Sequence, residues 1–134
     1  MSSRTLPLVP PDVEAALIAA LDTALDADVS NLKPRASTTA YRHLVVRADP
    51  QNLATPLTQY VRLGLSAYVT TATGTEDLAA AVALATAATR HVLRSRAQLL
   101  VHSEPQSGPA RVFDSVLEIE FAYSTLLLEV ALTL

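Results

Sequence analysis

Between residues 60 and 71 the chain alternates almost without a break. Val61, Leu63, Leu65, Ala67 and Val69 fall on one side, and Tyr60, Arg62, Gly64, Ser66, Tyr68 and Thr70 on the other. A period of two predicts a strand with one face packed inward and the other turned to solvent or a partner. Upstream the period changes. Val13, Ala16, Leu17, Ala20, Leu21, Ala24 and Leu25 recur at steps of three and four, which predicts an amphipathic helix over 11–26. Pro11 suits its first turn, where the missing N–H has no partner to lose, and Asp12 and Glu14 suit the positive end of the helix dipole. Leu78, Ala81, Val82, Ala85, Ala88 and Val92 predict a second helix that ends near Arg94. Thr75 is the expected N-cap, with Glu76 and Asp77 in the first turn. Arg90, His91 and Arg94 lie at the negative end, where cations are favoured. The alanine-rich surface of this helix would let it lie close to a sheet.

The remaining segments are shorter. Residues 29–33 read as a brief strand, and Pro34 with Ser37, Thr38 and Thr39 as a loop. Residues 41–48 are β-branched and apolar enough for a strand, and Asp49-Pro50 is the expected turn after it. Residues 97–104 read as another strand. EPQSGPAR, residues 104–111, reads as a loop because of its Pro, Ser and Gly.

The ribbon VLEIEFAYSTLLLEVALTL, residues 116–134, is apolar enough to raise the question of a membrane. Glu118, Glu120 and Glu129 interrupt it, and an acidic residue at mid-bilayer costs about 2.5–3.5 kcal/mol on insertion scales. A strand fits better. Leu117, Ile119, Phe121 and Tyr123 share one side; past Ser124-Thr125 the phase flips, and Leu126, Leu128, Val130, Leu132 and Leu134 share a side. A flip of this kind predicts a bulge or bend. The second half is apolar on both sides, so one side is expected under the helices and the other under a second sheet or another copy of the chain. The element order helix–strands–helix–strands predicts an α+β fold, with two helices on one face of a mainly antiparallel sheet.

A chain of 134 residues is expected to form one domain, 1–134. Half of it is apolar but only 4% is aromatic, so the core must be built from Leu, Val and Ala. The net charge of −3 argues against a protein that holds nucleic acid by neutralising phosphates. There is no cysteine, which excludes disulfides and thiol chemistry. The opening MSSRTLPLVPPDVE lacks the apolar core of a signal peptide, so synthesis in the cytoplasm is expected.

The chain offers few groups in a chemical arrangement. His43, His91 and His102 have no metal-site spacing, although His102 and Glu104 can share a strand face. No GxSxG, P-loop or GxGxxG occurs, and three glycines leave little for a phosphate cradle. Glu118 and Glu120 fall on one strand side, a spacing open both to paired carboxylates and to a solvated edge. Tyr60, Arg62 and Tyr68 share a face, as in a small stacking platform. Tyr and Arg are equally the favoured anchors of protein interfaces, and the negative charge favours that second reading. No catalytic residue, cofactor or metal ligand is expected.

As a whole the sequence resembles the tail terminator proteins of long-tailed bacteriophages. The resemblance is carried by the opening helix PDVEAALIAALDTAL, the strands YRHLVVRAD and YVRLGLSAYVT, the helix TEDLAAAVALATAATRHVL, the segment SGPARVFD and the closing strand FAYSTLLLEVALTL. Within SGPARVFD, Gly108, Pro109, Arg111 and Asp114 match a Gly-Pro-x-Arg-x-x-Asp-like element. The resemblance implies a structural virion protein, not an enzyme. Its copies would form a ring, typically a hexamer, that caps the head-proximal end of the tail tube. Its partners would be the major tail tube protein and the head connector or head-completion protein, and DNA would pass through the lumen without specific binding. Tyr60, Arg62, Tyr68, Arg111, Asp114, Leu126, Leu128 and Val130 are the expected contact residues, with Arg111 and Asp114 either paired to each other or touching a neighbour. Two other readings stay open: a head-completion or neck adaptor, and a small oligomeric α+β module binding a ligand in an apolar pocket.

Overall fold

The computed structural model describes residues 8–35, 40–95 and 99–133. The expected tail of the Ser/Thr loop (Ser37, Thr38 and Thr39), the start of the strand at Ala97 and the final Leu134 lie outside the described residues. In chain order the elements are α1 (Val13–Ala24), β1 (Asp28–Ser30), β2 (Tyr41–Thr55), β3 (Thr58–Thr70), α2 (Leu78–Leu93), β4 (Leu100–Asp114) and β5 (Ile119–Ala131). The strands form one sheet in the order β1-β2-β3-β5-β4. Only the three-residue β1 pairs in parallel; the other ladders are antiparallel. With both helices packed on it, this is the expected α+β fold.

The helices stand where the apolar stripes put them. The Asp12 carboxylate accepts the Ala15 N–H at 3.0 Å and starts α1, whose buried stripe is Val13, Leu17 and Leu21. α2 is capped by Asp77, whose carboxylate accepts the Ala80 N–H at 3.1 Å. Thr75 is not the cap: its carbonyl closes the preceding turn by accepting the Thr71 N–H at 2.8 Å. Ala81, Leu84, Ala85, Ala88 and Val92 form the buried face of α2. Three of these five are alanines, and all five are buried. Against them lie Val61, Leu63, Leu65, Ala67 and Val69 of β3 and Ala122, Leu126, Leu128 and Val130 of β5, in one continuous core.

Three expectations about strand ends are corrected. The turn after the second strand is not at Asp49-Pro50. β2 runs on to Thr55 and turns at 56–57, where the Thr55 hydroxyl meets that of Thr58 at 2.6 Å. The segment 104–111 is not a loop but part of β4. An edge strand tolerates proline, whose missing N–H can face outward, and takes glycine at bulges. The ladder to β5 shifts register three times along β4, at 100/102, 105/107 and 107/110.

The third correction concerns the closing ribbon. β5 has no bulge: its ladder with β3 runs unbroken from Thr58↔Ala131 to Ala67↔Ala122. The apolar pattern changes sides for another reason. Leu126, Leu128 and Val130 face the helices. Ile119 and Phe121, at the start of the strand, join a second cluster with Val45 and Tyr68 on the opposite face, together with Tyr41 and Leu117. The strand packs on different sides at its two ends while its backbone stays regular.

Candidate assembly surface

The face of the sheet away from the helices can be read as rows from the ladder registers. In a sheet, directly paired residues share a face. At one end, Val45, Tyr68 and Ile119 are buried, and the Tyr68 and Phe121 rings stack with centroids 4.5 Å apart. In the middle the Tyr123 ring lies over Gly64, where a Cβ would stand 3.1 Å from the Tyr123 hydroxyl. That close approach explains the glycine in an otherwise regular strand. Toward the hairpin end the face turns polar. Asp49 pairs Arg62 and Arg62 pairs Leu127, which pairs Glu104; Tyr60 pairs Glu129, which pairs His102. Tyr60 and Arg62 are exposed here, while Leu127 and Glu129 are half-buried. His102 and Glu104 share this face as expected, 3.6 Å apart and both well exposed.

The expected contact residues therefore divide. Tyr60 and Arg62 are accessible. Tyr68 is not: it is 2% exposed, stacked on Phe121 and bonded to Asp114. Leu126, Leu128 and Val130 are each 0% exposed within one subunit and cannot meet a neighbour. The ladder decides this, because it places them beside Leu63, Val61 and Gln59 of β3, on the side that the helices take. No sister copy is needed to cover that side of the ribbon. Its other side, with Thr125, Leu127 and Glu129, belongs to the open face.

Arg111 and Asp114 do not pair with each other. Three residues apart on one strand, they point to opposite faces. Arg111 Nε meets Glu120 Oε2 at 3.0 Å, with the arginine largely in solvent; an exposed pair of this kind is worth ~0–1 kcal/mol. Asp114 sits on the open face, 7% exposed, and takes four donors. Lys33 Nζ and the Tyr68 hydroxyl donate to Oδ2 at 2.9 and 3.1 Å. The N–H groups of Val116 and Leu117 donate to Oδ1 at 2.9 and 3.0 Å, which closes the β4–β5 turn. Burial by itself raises the Asp114 carboxyl. The bonds from the Leu117 N–H, Lys33, Tyr68 and the Val116 N–H outweigh it and hold the group at about 2. The same neighbourhood acts in reverse on the phenols: burial, then the Asp114 charge, pushes Tyr41 and Tyr68 up.

Lys33 is the residue that the sequence reading passed over. It is the only lysine of the chain, and it reaches from the segment after β1 to the far end of β4. His43, on the same face, helps to hold that segment: its Nε2 lies 2.9 Å from the Ser30 hydroxyl and 3.0 Å from the Leu32 carbonyl. Glu118 and Glu120 are not a carboxylate pair. Glu118 sits in the turn at φ 56, and Glu120 is held by Arg111.

A cleft of about 670 Å³ opens at the end of the helix layer. Its lining is mixed, with Asp26, Asp28, Arg42 and Asp77 beside Leu25 and Val69. Among the described residues, no three His, Asp or Glu side chains are grouped to hold a metal ion, and no helix is long and apolar enough to cross a membrane. No protein-family model matches the chain, and no curated protein matches it.

Proposed function

We propose that this protein is a structural component of a phage virion that caps the head-proximal end of the tail tube as a ring. In this role it stops tube growth and offers a surface to the head connector. The resemblance of the sequence to tail terminators suggests the role. The observation that carries it is the division of the sheet. The helices seal one face into the core, while the hairpin half of the other face holds Tyr60, Arg62, Leu127 and Glu129 on a rigid ladder, turned away from that core. Tyr and Arg are favoured interface anchors; Tyr loses little on ordering, and Arg offers a rigid planar fork of donors.

In this reading a ring closes through an unlike pair of surfaces on neighbouring copies, and its two flat faces differ. Only one face then imitates the tube end. The chain's net charge of −3 favours sliding of DNA through the lumen over sticking.

The test is complementation. Phage lacking this gene should carry overlong or headless tails under the electron microscope, and the wild-type gene should restore normal virions. Tyr60→Ala with Arg62→Ala should stay folded, losing about 0.5–2 kcal/mol through the two cross-strand pairs, yet fail to restore them. Normal tails joined to heads in the absence of the gene would remove the function.

A further inference from the structure

We infer that both lateral edges of this sheet are closed to strand addition, so that a second copy or an extended peptide cannot prolong it. A free edge is a row of unpaired N–H and C=O groups and recruits other strands unless it is blocked. β1 covers only residues 43–45 of β2, which leaves the rest of β2 with a free side. On that side every second residue presents its backbone groups, and two of these positions are blocked. The Ala48 N–H donates to Glu14 Oε2 at 2.8 Å. Asn31 holds the other oxygen of that carboxylate at 3.0 Å, so the plug is fixed from two sides. Pro50 has no N–H. Its carbonyl accepts from the Gln51 side-chain amide at 3.2 Å. The two edge-facing positions here, Ala48 and Pro50, thus offer an added strand no free N–H. Beyond Pro50 the ladder to β3 shifts register twice, at 50/53 and 53/55, which breaks the even spacing of the free side.

The opposite edge, β4, is blocked by different means. Pro105 and Pro109 remove two donors. The three register shifts break the even spacing that an added strand must match, and Gly108 at φ 80 turns the backbone out of the extended region. Two edges that differ in sequence, partner element and device reach the same end. Association of this chain must therefore go through faces or ends of the sheet, led by side chains. The inference stands whether or not the chain belongs to a phage tail.

Hydrogen exchange on the unmodified full chain tests it first. Amides at 46–53 and 101–111 should exchange alike in dilute and concentrated samples, and protection that grows with concentration would overturn the inference. The second test unblocks the edge. E14A/P50T, confirmed as folded by circular dichroism, should self-associate about tenfold more tightly than wild type in sedimentation, with an infrared band for intermolecular strands. Pro105→Val makes the same test on the far edge if the first variant does not fold. A folded variant that associates no more than wild type contradicts the role given to its edge.

Discussion

Replacing Asp114 by Asn removes the negative charge on which one end of the open face converges. The carboxylate takes two side-chain donors and two turn amides while 7% exposed. Asn keeps one carbonyl oxygen, which serves the turn amides at Oδ1, and presents an NH₂ to Lys33 and Tyr68, which also donate. Hydrogen bonds to a charged group contribute about 1.5–3 kcal/mol, so Asp114→Asn should cost about that much at pH 7. The pH dependence gives an independent figure. The carboxyl is held at about 2 against an ordinary value of 3.8, and a difference of one pH unit corresponds to ~1.4 kcal/mol. Lys33 is half in solvent, which screens its share, so roughly 1–2 kcal/mol of the stability should be tied to the charge. Because the folded value is depressed, that contribution is fully present above pH 3.8 and fades as the pH falls through about 2. The assay is urea unfolding of wild type and variant from pH 7 to 2. The gap between the two curves should hold above pH 4 and narrow by roughly 1–2 kcal/mol below it. A gap of the same width at pH 2 and pH 7 would refute the view that ionised Asp114 organises this end of the sheet.

Two further outcomes follow from packing. Leu128→Ala empties a site of 0% exposure and should destabilise by about 2–5 kcal/mol in denaturant unfolding; a change under 1 kcal/mol would mean that this side of β5 is not sealed. Gly108→Ala places a Cβ 2.2 Å from the Tyr123 carbonyl oxygen at φ 80. It should lower the thermal midpoint, at a cost of about 1–3 kcal/mol for the backbone alone, whereas an unchanged midpoint would argue against this path for β4.

Periodicity made most of the fold legible. The stripe from Val13 to Leu21 and the alternation from Val61 to Val69 each report one buried side, and each lies where its period placed it. The edge strand was hidden because Pro105, Gly108 and Pro109 are loop signals in a central strand and ordinary in an edge strand. Knowing that 104–111 is a strand would have separated Arg111 from Asp114 by parity alone. Leu126, Leu128 and Val130 were misplaced because an apolar ribbon does not say which side the helices take. That is set by register with β3, where Leu63 pairs Leu126. The Asp114 site was beyond local reading: its side-chain partners lie 81 and 46 residues away, and no spacing rule spans such gaps. Tyr60 and Arg62 were readable because an exposed strand face needs only parity to define it.

Strand order has a kinetic consequence. β5 follows β4 in the chain but lies between it and β3, so β4 has no neighbour until β5 has been made and inserted. A chain made only through α2 holds β2 and β3 but nothing to pair the far side of β3. The late strand pairs on both sides at once, joining a half-built sheet to a segment still waiting beside it. Damage to β5 would accordingly split the molecule down its middle instead of fraying it from the side.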